Sequence, residues 1–238
     1  MNAMVRSDLI IMRRSLIQLF GICLIVCVFI AIGMESLIAG IAAVVAMVPM
    51  MYMFSIVAYD EANGWERFRL TLPISRHQVV LGRYASILIV FALCDVLTLA
   101  TAWILSLALS AIPNSPLAES GQGGFDALFY LAGILMVSAV MIVVAAISTP
   151  LFLRFGITKG SRLIPLLVLA VLVIGIFLTD NLEGVDLASI PILGILLTGG
   201  AGDAGAMLCM SAVVLGISLL LLALSALIAL RLYEHRGF

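Results

Sequence analysis

The chain has 238 residues, of which 64% are Ala, Val, Ile, Leu, Met, Phe, Trp, Tyr or Cys and only 11% are charged, with a formal net charge of −1. An average soluble domain carries about 25% charged residues, so this composition excludes a soluble globule, a disordered chain and a nucleic-acid binder with a basic phosphate-reading patch. At a mean hydropathy of +1.30 the remaining class is an integral membrane protein, and at about 20 apolar residues per span the length holds one domain of about six spans.

Residues Met1 to Ser15 mix apolar and basic positions and read as an amphipathic helix along the membrane surface, with Arg6, Arg13 and Arg14 among the headgroups. Arg13-Arg14 before an apolar run resembles a twin-arginine export signal, but no small-residue cleavage site follows and more spans come later. The first span runs from Leu16 to Met34, and a tight turn at Glu35-Ser36 leads into the second, Leu37 to Ala58. The most polar stretch, Asp60 to Arg83, precedes the third span, Tyr84 to Ile112. A Pro-, Gly- and Ser-rich loop separates it from the fourth, Ala127 to Leu153, where Pro150 is expected to bend the last turn. A short basic loop, Arg154 to Arg162, leads to the fifth span, Leu163 to Thr179. The apolar run Leu187 to Gly200 is too short to cross and reads as a re-entrant or interfacial hairpin. The sixth span is Met207 to Leu230.

Charge fixes the expected orientation. All twelve Lys and Arg residues fall in the N-terminus, Asp60–Arg83, Arg154–Arg162 and the tail. The opposite loops carry only acids: Glu35, Glu119, Asp126, Asp180, Glu183, Asp186 and Asp203. The positive-inside rule then places both termini in the cytoplasm.

Few side chains offer chemistry. Cys23 and Cys27 share a helix face at i, i+4, yet no His or acid lies near them in sequence, so no metal site is expected. Cysteine inside apolar runs behaves as a small hydrophobe. His77 and His235 fall in the cytoplasmic segments and suit solvated roles. Tyr59-Asp60 and Gly200-Ala201-Gly202-Asp203 resemble the paired motifs of intramembrane aspartyl proteases, but the charge map sets the two acids about 30 Å apart, too far to share a proton. Asp95 is the ionisable residue deep in a span, roughly 16 Å into the third. Thr98 shares its face and Thr101 lies beside it. Two readings stay open: a polar point on a transport pathway, or a protonated acid hydrogen-bonded between helices.

The Asp60–Arg83 loop has Ala62, Trp65, Phe68 and Leu72 at helical spacing, an apolar face opposite Glu61, Glu66, Arg67 and Arg69. Pro73 ends that helix, and Ser75 caps the next with Gln78 at the capping-box position. This segment is either a membrane-anchored connector or a docking element for a cytoplasmic partner.

Two spans, then Asp60, Glu61, Asn63, Gly64, Trp65, Glu66, Leu72, Pro73, Ile74, Ser75, Arg76, Val79, Val80, Leu81, Gly82, Arg83 and Tyr84, then four more spans resemble the permease subunits of ABC-2-type exporters. More narrowly, the pattern is similar to small six-span permeases that include bacterial exporters of amphipathic peptides such as phenol-soluble modulins. The resemblance implies an all-α integral membrane fold of six transmembrane helices in one domain. It adds an N-terminal interfacial helix, a coupling helix around Asn63–Leu70 on the cytoplasmic side and a re-entrant extracellular segment before the last span. It implies docking of a separate ATPase through Asp60, Glu61, Asn63, Gly64, Trp65, Glu66, Arg67, Phe68 and Arg69, with Pro73, Ser75 and Arg76 capping the loop. It also implies a second permease chain, either identical or different. No G-x-x-x-x-G-K-[ST] segment is present, so ATP and Mg are expected on the partner ATPase, with no cofactor and no enzyme activity on this chain. The expected cargo is an amphipathic peptide or a lipid-like drug, and the expected location is a bacterial cell membrane. From a different class stands an ion-coupled transporter or channel with Asp95 as its coupling acid; a non-transporting membrane scaffold is the third reading.

Overall fold

A computed structural model describes residues 2–64, 76–110, 126–181 and 204–234. They form five helical elements: α1 (Asn2–Gly33), α2 (Leu37–Ala62), α3 (Arg76–Ser110), α4 (Ala127–Asn181) and α5 (Ala204–Glu234). Among the described residues, five stretches are long and apolar enough to cross a membrane: Met4–Gly33, Leu37–Ala62, His77–Ala108, Ala127–Leu153 and Gly205–Arg231. They correspond to the expected spans one to four and six. The expected fifth span falls within the helical backbone of α4 beyond Gly156. The expected re-entrant segment, Leu187 to Gly200, and Trp65 to Ser75 lie outside the described residues.

The N-terminal segment differs from expectation. It is not a separate surface helix, because α1 runs unbroken from Asn2 to Gly33. No Pro or Gly interrupts it before Gly21. Met4, Asp8 and Met12, one turn apart, are all buried. That stripe draws the segment into the bundle, while Arg6, Arg13 and Arg14 stay exposed.

The turn into α2 is as tight as expected. Glu35 adopts a left-handed conformation (φ 52°), and the Ser36 N–H donates to the Ala31 carbonyl at 3.1 Å, which satisfies one of α1's terminal acceptors. The hairpin then packs closely. A Cβ on Gly40 would lie 2.5 Å from the Cys27 carbonyl oxygen and 3.0 Å from its Sγ, so only glycine lets the two backbones meet here. Cys23 and Cys27 are buried free thiols in this seam, packed as hydrophobes.

α2 is the most enclosed of the candidate spans and α1 the least. α2 packs on α1, α3 and α4, and α5 packs mainly on α4. The core has two layers. One lies toward the basic end and includes Met12, Tyr52, Ile56, Tyr84, Phe91 and Phe152. The other lies toward the Glu35 turn and includes Cys27, Ile41, Val44, Val45 and Ile134.

Three boundaries shift. α3 begins at Arg76 rather than Tyr84, directly after the expected cap position. α2 extends to Ala62, with Asn63 as its C-cap and Gly64 (φ 63°) following in the left-handed conformation. The expected coupling helix, around Asn63–Leu70, lies beyond this point, outside the described residues from Trp65 on. The basic segment Arg154 to Arg162, expected as a loop, contains one non-helical residue, Gly156 (φ 73°, ψ −179°), with helical backbone on both sides. Pro150 lies inside α4, and the non-helical residue follows it at Gly156.

Candidate functional site

Three buried stripes converge at the basic end of the bundle. On α2, Tyr52, Ile56 and Asp60 follow at i, i+4 and i+8, all buried. On α3, Val79, Arg83 and Ile87 repeat the spacing. On α1, Met4, Asp8 and Met12 do the same. Each stripe places one charged residue among apolar ones, and the three charges meet.

Arg83 donates from Nη2 to the Oδ2 of Asp60. Its Nη1 lies 3.3 Å from the Oδ2 of Asp8. Ser86, one turn on, donates to the Arg83 carbonyl at 2.8 Å and lies 3.4 Å from the Asp8 carboxylate. Tyr52, buried on the same stripe as Asp60, lies within electrostatic reach of Asp8, Arg83 and Asp60. Arg83 is 4% exposed and Asp8 1%, so these charges are held by one another rather than by solvent. A guanidinium suits the task because its planar fork reaches two carboxylates at once. Removing one partner of such a buried set costs about 3–5 kcal/mol. Asp60 and Arg83 also line a cavity of about 30 Å³ with Thr149 and Phe152, the space of one or two water molecules.

Asp60 was expected among the outward-facing docking residues. It is instead buried, its carboxylate engaged by Arg83. Glu61, Asn63 and Gly64 are exposed, and the Asn63 amide closes the helix end by donating to the Tyr59 carbonyl at 2.9 Å. Trp65, Glu66, Arg67, Phe68, Arg69, Pro73 and Ser75 lie outside the described residues, as does the side chain of Arg76. Asp203 of the rejected protease pair lies outside them too, and Asp60 is committed to Arg83. His77 is exposed at the start of α3, and His235 is outside the described residues.

The Glu61 carboxylate rests on Gly156 of α4, where any Cβ would collide with it. The foot of the 63–75 segment thus touches the break in α4.

Asp95 is half-buried and accepts a 2.5 Å hydrogen bond from Ser138 of α4. Thr98 is buried beside Cys94, Sγ to Oγ1 3.8 Å. Thr101 turns back to the Thr98 carbonyl of its own helix at 2.8 Å. Asp95 thus reaches a neighbouring helix, while Thr101 bonds within its own. Among the described residues no group of three or more His, Cys, Asp and Glu is placed to hold a metal.

Asp8 and Ser138 were missed in the sequence. Asp8 had a signal, the buried i, i+4, i+8 stripe with Met4 and Met12. Ser138 had none, since a lone serine in a span does not announce its partner.

Comparison with curated proteins and with solved structures finds no match. The sequence profile of the ABC-2 family transporter proteins matches residues 3–234. That covers the buried charge cluster, all five described helices and the segments between them, so the chain is a multi-pass membrane protein belonging to the ABC-2 transporter family.

Proposed function

We propose that this chain is the permease subunit of an ATP-driven exporter. It has six spans with both termini on the cytoplasmic side of a bacterial cell membrane. A second permease chain completes the substrate path, and a separate ATPase subunit binds ATP and Mg. Glu61, Asn63 and Gly64, with Trp65, Glu66, Arg67, Phe68 and Arg69, form the docking surface; Pro73, Ser75 and Arg76 cap its far side.

One observation carries this reading. The two feet of the 63–75 segment are fastened by the buried Asp60–Arg83 pair, which is tied to α1 through Asp8. A push on the segment then reaches α1, α2 and α3 together instead of being absorbed by a loose loop. The Glu61 contact at Gly156 extends the same path to α4. The cargo is an amphipathic peptide or a lipid-like molecule, the class handled by the small six-span permeases this sequence resembles. The apolar spans and short outer turns favour such cargo over a hydrophilic one.

The test is co-purification with the ATPase encoded beside this chain. Trp65→Ala with Glu66→Ala should abolish association and cargo-stimulated ATP turnover. Intact association and turnover in that variant, or no associating ATPase at all, would sink the proposal. Survival of expressing cells against a panel of amphipathic peptides then identifies the cargo.

The Asp95–Ser138 contact favours a second reading, transport driven by an ion gradient. Asp95→Asn should abolish ion-driven flux in proteoliposomes, and unchanged flux removes that reading.

A further inference from the structure

A groove of about 160 Å³ opens between α1 and α3 on the outside of the bundle. Its floor is Val48, Val90 and Cys94, all buried; its walls include Ile17, Phe20 and Leu93. All its lining residues are apolar. Asp95, next to Cys94 in sequence, is engaged with Ser138 of α4, away from α1. About 150 Å³ of such lining stays dry and holds one benzene-sized apolar group. A water-filled polar pathway does not have this lining.

Helical spacing on α1 sets two arginines next to the end of the groove at Leu16. Arg13 precedes Leu16, Ile17 and Phe20 at i, i+3, i+4 and i+7, so all four share one face of α1. Arg14 stands beside it, three residues before Ile17. Both arginines are exposed, and neither forms an ion pair among the described residues. They lie where the apolar run of α1 starts, at the depth of the lipid headgroups.

We propose that this groove and the two arginines form a binding site for an anionic glycerophospholipid. A segment of one acyl chain lies in the groove, and the phosphate pairs with Arg13 and Arg14. A guanidinium pair recognises phosphate through parallel N–H donors, and headgroup charge selects between lipids whose chains fit equally well. The site does not depend on the transport reading above.

The test uses the full chain in lipid nanodiscs with a photoactivatable group on one acyl chain. Phosphatidylglycerol and phosphatidylcholine of equal chain length are compared, and labelled peptides are mapped by mass spectrometry. Phosphatidylglycerol should label the peptides carrying Ile17 and Leu93 on the order of tenfold more than phosphatidylcholine. Arg13→Gln with Arg14→Gln should erase that preference but keep the weaker labelling. Leu93→Trp, on an exposed wall, should block labelling by both lipids. Helix content and monodispersity are checked for each variant. Equal labelling of the native chain by both lipids overturns the proposal, as does a preference that survives loss of both arginines. So does a groove that no lipid labels because two copies of the chain cross-link across it.

Discussion

Ser225 of α5 donates its hydroxyl to the Ala146 carbonyl of α4, the acceptor that Pro150, lacking an N–H, leaves without a partner in its own helix. Tyr84 of α3 completes the chain of contacts at 2.9 Å from the Ser225 hydroxyl. Proline is tolerated in a membrane helix where a neighbour satisfies the released carbonyl. Ser225→Ala should therefore destabilise the bundle by about 1 kcal/mol. Part of the cost should vanish in a Pro150→Ala background, where residue 150 again donates to Ala146, and the part due to the Tyr84 contact should remain. A double-mutant cycle in reversible detergent unfolding measures the coupling.

Arg83→Ala leaves two buried carboxylates facing each other without their cation. A loss of about 3–5 kcal/mol is expected, seen as poor yield and a lower melting temperature in detergent. Arg83→Lys should recover only part of it, because an ammonium does not span both acids as a fork does. Asp8→Asn should be milder than Asp60→Asn, since Asp60 accepts a direct hydrogen bond from Arg83 whereas Asp8 meets it at the longer ionic distance of 3.3 Å. Equal melting temperatures for the two asparagine variants would contradict this ranking.

Gly156→Ala meets two obstacles. Its backbone, at φ 73° and ψ −179°, lies in a region that is almost glycine-only. Its Cβ would also collide with Glu61. The expected cost is about 1–3 kcal/mol for the backbone alone, plus the clash. Glu61→Ala should relieve the clash and leave the backbone cost. Full rescue by Glu61→Ala in thermal unfolding would show that φ at 156 is not fixed.

Gly40→Val should pry α1 from α2, because even one Cβ falls 2.5 Å from the Cys27 carbonyl. Overpacking of this kind costs about 1–3 kcal/mol. The readout is the rate at which Cys23 and Cys27 react with a membrane-permeant maleimide. Buried in the native seam, they should react slowly there and much faster in the variant.

The bundle's outline was legible because each apolar run ends on charges or turn residues. Leu37, Ala127 and the Glu35 turn all fall where expected. Reading failed where one signal masked another. Arg6, Arg13 and Arg14 made residues 1–15 resemble a surface helix, and the Met4-Asp8-Met12 stripe went unread behind them. The charges of Arg154–Arg162 looked like a loop, whereas one glycine suffices to break α4. Pairings such as Asp95–Ser138 and Ser225–Ala146 depend on which helices become neighbours, information that no local window contains. The pairing of Asp60 with Arg83 was hidden for the same reason: each reads as a loop-end charge until α2 and α3 are set side by side.

The Ala146 carbonyl and the Ser225 hydroxyl that satisfies it are 79 positions apart. The acceptor that Pro150 frees is therefore satisfied by a residue synthesised long after it. Without α5, the Ala146 carbonyl would lack its Ser225 donor. The last of the described helices thus supplies the hydrogen bond that an earlier one lacks.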